Sequence, residues 1–186
     1  MEKSLVTSLL TLHPFDEMQM QLLENKITHQ ILSKNTILYS PKNIAGELHF
    51  VLKGSIRQFI ETETIPQTIQ FYVAGDWVTD LESMLTQKPA QTILETQEET
   101  HLATLSLNEI HHLMDRDSCF KKLLSLLHCV GISVEQIKKN TLSPDERYQK
   151  LLQEHPNWVQ KFALSHIASY LGMTPETLSR VRARIK

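Results

Sequence analysis

The stretch Ile167-Ala168-Ser169-Tyr170-Leu171-Gly172-Met173-Thr174-Pro175-Glu176-Thr177-Leu178-Ser179-Arg180-Val181 decides how this 186-residue chain is read. Two helices that cross near a right angle through a short turn need a small residue at their contact, and Ala168 supplies it. Gly172 can take the left-handed conformation that ends the first helix. Thr174 is a good N-cap and Pro175 a good first helical residue, so a second helix starts cleanly there. Ile167, Leu171, Leu178 and Val181 recur at helix spacing and point inward, leaving Glu176, Thr177, Ser179, Arg180, Arg182 and Ala183 outward. The pattern is a helix-turn-helix. An arginine one turn into its second helix can bond guanine O6 and N7 as a fork, and a neighbouring glutamate can accept from cytosine N4. Glu176 and Arg180 therefore read as base-contacting residues, although four-residue spacing also suits a simple ion pair on an exposed helix.

Charge agrees with this reading. The chain carries a formal −2, but residues 160–186 hold Lys161, Arg180, Arg182, Arg184 and Lys186 against Glu176 alone, a local +4, so the other 159 residues carry −6. Such a split suits a chain whose one end meets a polyanion. Apolar residues make up 41%, enough for a packed core, and no apolar run approaches the roughly 18 residues a membrane span needs. Nothing near Met1 reads as a signal peptide, and the two cysteines, Cys119 and Cys129, have neither CxxC spacing nor the number for a disulfide framework. The expected compartment is the cytoplasm. No metal, cofactor or catalytic constellation stands out. A metal-binding cupin needs His-x-His with a nearby Glu, and Gly46-Glu47-Leu48-His49-Phe50 offers one histidine. The expectation is a protein that is not an enzyme.

Upstream, residues 1–25 show helical periodicity divided by Pro14. From Ile27 to about Leu105 the signal changes to short strands, among them Thr36–Tyr39, Leu48–Leu52, Ser55–Ile60 and Thr68–Val73. Turn signals at Ser40-Pro41-Lys42-Asn43, Lys53-Gly54 and Ala74-Gly75-Asp76 punctuate them. Strands at this spacing predict a small barrel or roll that hides its own edges. Asn108–Met114 reads as a short helix. Ser118 then caps a longer one, in which Phe120, Leu123, Leu127, Val130, Val134 and Ile137 alternate at spacings of three and four. That is a heptad seam over almost three heptads, and predicts a two-helix dimer. The alternative is a helix packed on its own domain, with Leu124 and Leu126 as further buried positions. Ser143-Pro144-Asp145-Glu146 starts another helix, with a capping box from Ser143 to Glu146. The expected architecture is α+β, divided as a β-roll over residues 1–117, a dimerisation helix over 118–140 and an all-α helix-turn-helix unit over 141–186.

These residues resemble the Crp/Fnr family of bacterial transcription regulators. The family joins a β-roll like the cyclic-nucleotide-binding domain (a double-stranded β-helix with flanking helices) to a long dimer helix and a C-terminal helix-turn-helix. The resemblance runs from about Phe15 to Ile185. It is best marked at Phe50-Val51-Leu52-Lys53-Gly54-Ser55-Ile56-Arg57, at Gly75-Asp76-Trp77 and from His166 to Arg182. It implies a homodimer on pseudo-palindromic double-stranded DNA that contacts RNA polymerase. Glu176 and Arg180 would read bases, while Thr174, Thr177, Ser179, Arg182, Arg184, Lys186 and Lys161 would serve the backbone or accessory contacts. Three departures qualify it. The family's Gly-Glu-Leu and Arg-Ser/Thr-Ala nucleotide signature falls here on Thr79-Asp80-Leu81 and on Ala90-Gln91-Thr92, with no arginine between Arg57 and Arg116. Without that guanidinium fork a cyclic phosphate loses its strongest contact, so cyclic AMP is not the expected effector and the degenerate pocket Thr79, Asp80, Leu81, Ala90 and Gln91 is left without a named one. Two cysteines are too few for an iron–sulfur sensor, and none of the nine histidines sits in a haem motif. Finally, with Lys186 as the last residue, the family's β-hairpin wing is not expected beyond the reading helix. The rival reading is a β-roll sensor or adaptor acting through protein contacts.

Overall fold

Alternating apolar residues in the central hundred positions pair into two four-stranded antiparallel sheets, in a computed structural model that describes residues 1–127 and 142–185. One sheet has the order β1 (Thr28–Leu32), β8 (Thr100–Ser106), β3 (Glu47–Lys53), β6 (Trp77–Val78); the other is β2 (Ile37–Tyr39), β7 (Ile93–Thr96), β4 (Ser55–Ile60), β5 (Gln67–Val73). Consecutive strands thus lie in opposite sheets, as β3 and β4 do, except for the β4–β5 hairpin within one sheet, and the two inner faces close on a common core containing Leu48, Phe50, Ile56, Tyr72, Leu94, Leu102 and Leu105. The change of sheet between β3 and β4 is made at Gly54, whose φ is +101°. A Cβ there would lie 2.6 Å from the Thr100 Cα and 2.8 Å from the Glu99 carbonyl oxygen. Only glycine fits both the dihedral and the approach.

Helices flank the roll. α1 (Lys3–Leu12) and α2 (Glu17–Glu24) are separated at Pro14, and α2 opens with a capping box between Asp16 and Gln19. α3 (Leu81–Thr86) follows β6, and α4 (Leu107–Arg116) follows β8 with Ser106 as its cap. A 3-10 helix then spans Ser118–Leu124, capped by Asp117 and not by Ser118. This corrects the expected seam at its first positions. Phe120 and Leu123 are fully buried in the roll's own core, Phe120 stacked on Phe15 with centroids 5.7 Å apart, and Leu126 is buried with them. Tighter 3-10 winding turns these side chains onto the parent domain, so they are not available to a partner. Leu127 is half-buried against the same cluster. Val130, Val134 and Ile137 lie outside the described residues, as does the first half of the expected boundary at Asn140–Ser143.

The C-terminal unit is all helical: α5 (Pro144–Glu154), α6 (Trp158–Lys161), α7 (Leu164–Tyr170) and α8 (Pro175–Arg184). α5 carries the expected capping box, with the Glu146 carboxylate 2.7 Å from the Ser143 amide. The unit has its own core of Tyr148, Leu151, Trp158, Phe162, Ile167, Ala168, Leu171, Leu178 and Val181, and the roll contributes one buried side chain to it, Phe71. Phe71 stacks on Phe162 at 4.0 Å and meets Trp158 at 5.2 Å and Tyr170 at 5.6 Å. Ser169 of α7 adds two polar clips to the β4–β5 hairpin: its hydroxyl donates to the Pro66 carbonyl (2.8 Å) and accepts from the Thr68 amide (2.9 Å).

Candidate nucleic-acid interface and the roll interior

The turn between α7 and α8 is a Schellman ending. Gly172 is left-handed (φ +64°), its amide bonds the Ser169 carbonyl, and the Met173 amide reaches back to the Ala168 carbonyl at 2.9 Å. Ala168 is fully buried, so α7 and α8 approach closely at that point. α8 then starts at Pro175, with the Thr174 hydroxyl accepting from the Thr177 amide at 3.2 Å. Leu178 and Val181 are fully buried and fix its inner face. Sequence reasoning missed Arg147 on α5, whose guanidinium donates to the carbonyls of Leu171 and Gly172 and ties the turn to the helix behind it. Its position four residues before buried Leu151, on the rim of that apolar stripe, was the available signal.

The outer face of α8 presents Glu176, Ser179, Arg180 and Arg182 to solvent, with Thr177 half-buried beside Thr174. Among the described residues Glu176 and Arg180 do not close to an ion pair. Hydrogen bonds from its own amide and from Thr174, with the Arg180 charge behind them, still hold the Glu176 carboxyl below its ordinary range. Arg180 is left with its fork unspent. Arg184 is not: Asp145 grips its guanidinium at 2.8 and 2.9 Å, pinning the end of α8 to the start of α5. Lys161 is also engaged, 3.0 Å from Glu98 on the roll. Lys186 lies outside the described residues.

Inside the roll, the segment from β6 through α3 to β7 brings Thr79 and Asp80 together, both almost fully buried, with Ala90. Leu81 is half-buried and Gln91 stands exposed, 3.4 Å from Glu82. The chain's own polar groups occupy this region. Asp80 accepts from the Ser83 amide and from the Thr92 hydroxyl (2.6 Å), Thr92 accepts from Gln58, and Gln58 accepts from the Tyr72 hydroxyl (2.8 Å). A carboxylate at the end of such a chain repels a phosphate. A second network lies alongside. Tyr39 donates to the Glu47 carbonyl, and His49 sits between the Tyr39 oxygen (3.1 Å) and Thr104 (2.8 Å). Burial pushes the His49 imidazole down to about 4. It is neutral at pH 7, its Nε2–H donating to Tyr39 and its Nδ1 accepting from Thr104. Among the described residues no cluster of three or more His, Cys, Asp or Glu could hold a metal ion, and no helix is long and apolar enough to cross a membrane.

This roll, with its Gly54 crossing and the helix set between β6 and β7, can be compared with known proteins. Residues 29–117 match the cyclic nucleotide-binding domain family. No curated protein sequence matches the chain. Among solved structures, FixK2 from Bradyrhizobium japonicum superposes with a TM-score of 0.71 at 18% identity, covering 86% of this chain and 84% of that one. The c-di-GMP responsive global regulator CLP from Xanthomonas campestris gives 0.65 at 16% identity, covering 91% of each. A candidate transcriptional regulator of the Crp/Fnr family from Eubacterium rectale gives 0.58 at 18%, covering 92% and 84%. At these identities the likeness is one of fold. It extends beyond the cyclic nucleotide-binding-type roll over most of the chain.

Proposed function

We propose that the chain is a transcription regulator of the Crp/Fnr type, not a catalyst, that reads the DNA major groove with α8. The observation that carries this reading is the α7–turn–α8 unit, closed by Gly172, capped by Thr174 and presenting Glu176, Ser179, Arg180 and Arg182 outward from a helix buried on its other side. The two regulators that share the fold, CLP and the Eubacterium rectale protein, support it, as does the local positive charge of residues 160–186. Arg180 and Glu176 are the base readers. Thr174, Thr177, Ser179 and Arg182 serve the backbone, while Arg184 and Lys161 are already committed to Asp145 and Glu98. A homodimer would place two α8 helices on half-sites roughly 34 Å apart, one turn of the duplex. The seam that supports it contracts to Leu127, Val130, Val134 and Ile137, since Phe120 and Leu123 belong to the core. The carboxylate of Asp80 and the absence of an arginine from the β6–β7 segment argue against cyclic AMP as effector.

Selection of bound duplexes from random DNA tests the reading. The expected result is an inverted repeat with about ten base pairs between half-site centres. A chain that enriches no sequence, and shows no mobility shift with duplex DNA at low salt, would instead be an adaptor that works through protein contacts. Val134→Asp should give a folded monomer by light scattering; a variant that remains dimeric would remove the seam.

A further inference from the structure

Beside the Phe71 contact the roll and the helical unit leave a cleft of about 520 Å³, lined by Lys34, Glu95 and Gln97 of the roll and by Lys161, Phe162 and His166 of the helices. We propose that this cleft binds a small oxyanion, a carboxylate or phosphate, between the Lys34 ammonium and the His166 imidazole. The size suits a small-molecule site, and such sites favour domain junctions.

Each side of the cleft is built and held. Lys34 lies on the turn between β1 and β2, where Asn35 adopts a left-handed φ of 62°. Fully buried Thr96 fastens that turn three ways: its carbonyl accepts from the Asn35 amide, its hydroxyl accepts from the Thr36 amide, and the same hydroxyl donates to the Ser33 carbonyl, all within 2.8 Å. The charges leave one cation over. Lys161 is paired with Glu98; Glu95 lies opposite Arg57 across β4 and β7 and takes a hydrogen bond from Gln97. Lys34 has no anionic partner among the described residues. His166 is the second open valence, because its Nδ1 is buried without a hydrogen-bond partner there. A buried polar atom of this kind calls for an explanation. Burial and the positive charges of Arg57 and Lys34 push this imidazole down to about 4. An anion seated between Lys34 and His166 answers both groups at once, with Phe162 as an apolar wall.

Because the cleft is lined from both units, its occupant would stiffen the junction that orients α7 and, through it, α8. That consequence rests on the regulator reading, whereas anion binding does not. The test uses the full chain at constant ionic strength, following the His166 imidazole by NMR while inorganic phosphate, and separately malonate, is added. A saturable shift with at least one of them is expected, and a His166 titration midpoint raised by about one unit, as a nearby opposite charge produces. Lys34→Ala should weaken that affinity by about tenfold, the worth of one charge-assisted contact, and leave the mobility shift with duplex DNA unchanged in the absence of anion. The proposal is overturned if neither anion moves His166 saturably, or if Lys34→Ala binds as well as the parent chain. Duplex selection and anion titration fail independently, so loss of one reading leaves the other testable.

Discussion

Replacing Phe71 by alanine tests how the two units are joined. The side chain is fully buried, is the one roll residue in the buried core of the helical unit, and touches three aromatic rings. Truncating a buried phenylalanine costs about 3–5 kcal/mol when the surroundings cannot collapse. The upper half of that range is expected, because Phe162, Trp158 and Tyr170 are held by their own helices and lose ring pairs worth about 0.5–1.5 kcal/mol apiece, terms already contained in the total. Urea unfolding is the assay, read by Trp158 fluorescence in a Trp77→Phe background. With a slope near 2 kcal/mol per molar, a loss of about 4 kcal/mol moves the midpoint down by about 2 M. Phe71→Leu, which keeps an apolar plug, should recover most of it. A midpoint shift below about 0.5 M, which is about 1 kcal/mol on the same slope, would refute the argument: the helical unit would then stand without the roll.

Arg180→Ala should cost about 1–3 kcal/mol of specific binding and relax base preference at one position of each half-site; an unchanged motif in duplex selection removes it as the reader. Gly54→Ala should lower the unfolding midpoint markedly, since its Cβ would lie 2.6 Å from backbone at φ +101°. A variant as stable as the parent would contradict the packing at that crossing. Arg147→Met should leave α8 helical by circular dichroism but weaken DNA binding, by freeing the carbonyls of Leu171 and Gly172 at the turn. Equal affinity would show that the turn holds itself. His49, lowered from 6.5 to about 4 by burial, takes up a proton more readily unfolded than folded. Its contribution is fully present above pH 6.5 and is lost as the pH falls toward 4, roughly 3 kcal/mol at most. Urea midpoints at pH 7.5 and 4.5 should differ less in His49→Gln than in the parent chain, and an identical difference would exclude His49 as a source.

The roll and the caps and turns of the C-terminal helices were legible because their signals are local. Pro14, Gly54, Gly172, Thr174-Pro175 and the Ser143–Glu146 box each act within a few residues, and each is found doing so. The seam failed at Phe120 and Leu123 because heptad spacing does not say which partner covers an apolar stripe, and the roll's core, Phe15 included, was nearer. The lack of an arginine between Arg57 and Arg116 was legible at once. The network around Asp80 was not, since Thr92 meets Asp80 and joins it to Gln58 and Tyr72 on strands far apart in sequence. Arg147, Asp145 and Phe71 were missed for the same reason: their partners lie 24, 39 and up to 99 residues away.

The bidentate grip of Asp145 on Arg184 bears on ionic thermodynamics. Each phosphate neutralised by a free cation releases condensed counterions and adds about 0.9 to the salt slope of duplex binding. On the regulator reading proposed above, Arg184 would meet the duplex already neutralised and would contribute to that slope only by first surrendering its carboxylate. Per half-site, α8 would then carry two free cations, Arg180 and Arg182, although it contains three. Asp145→Asn would free the third, steepening the salt dependence without adding a single basic residue.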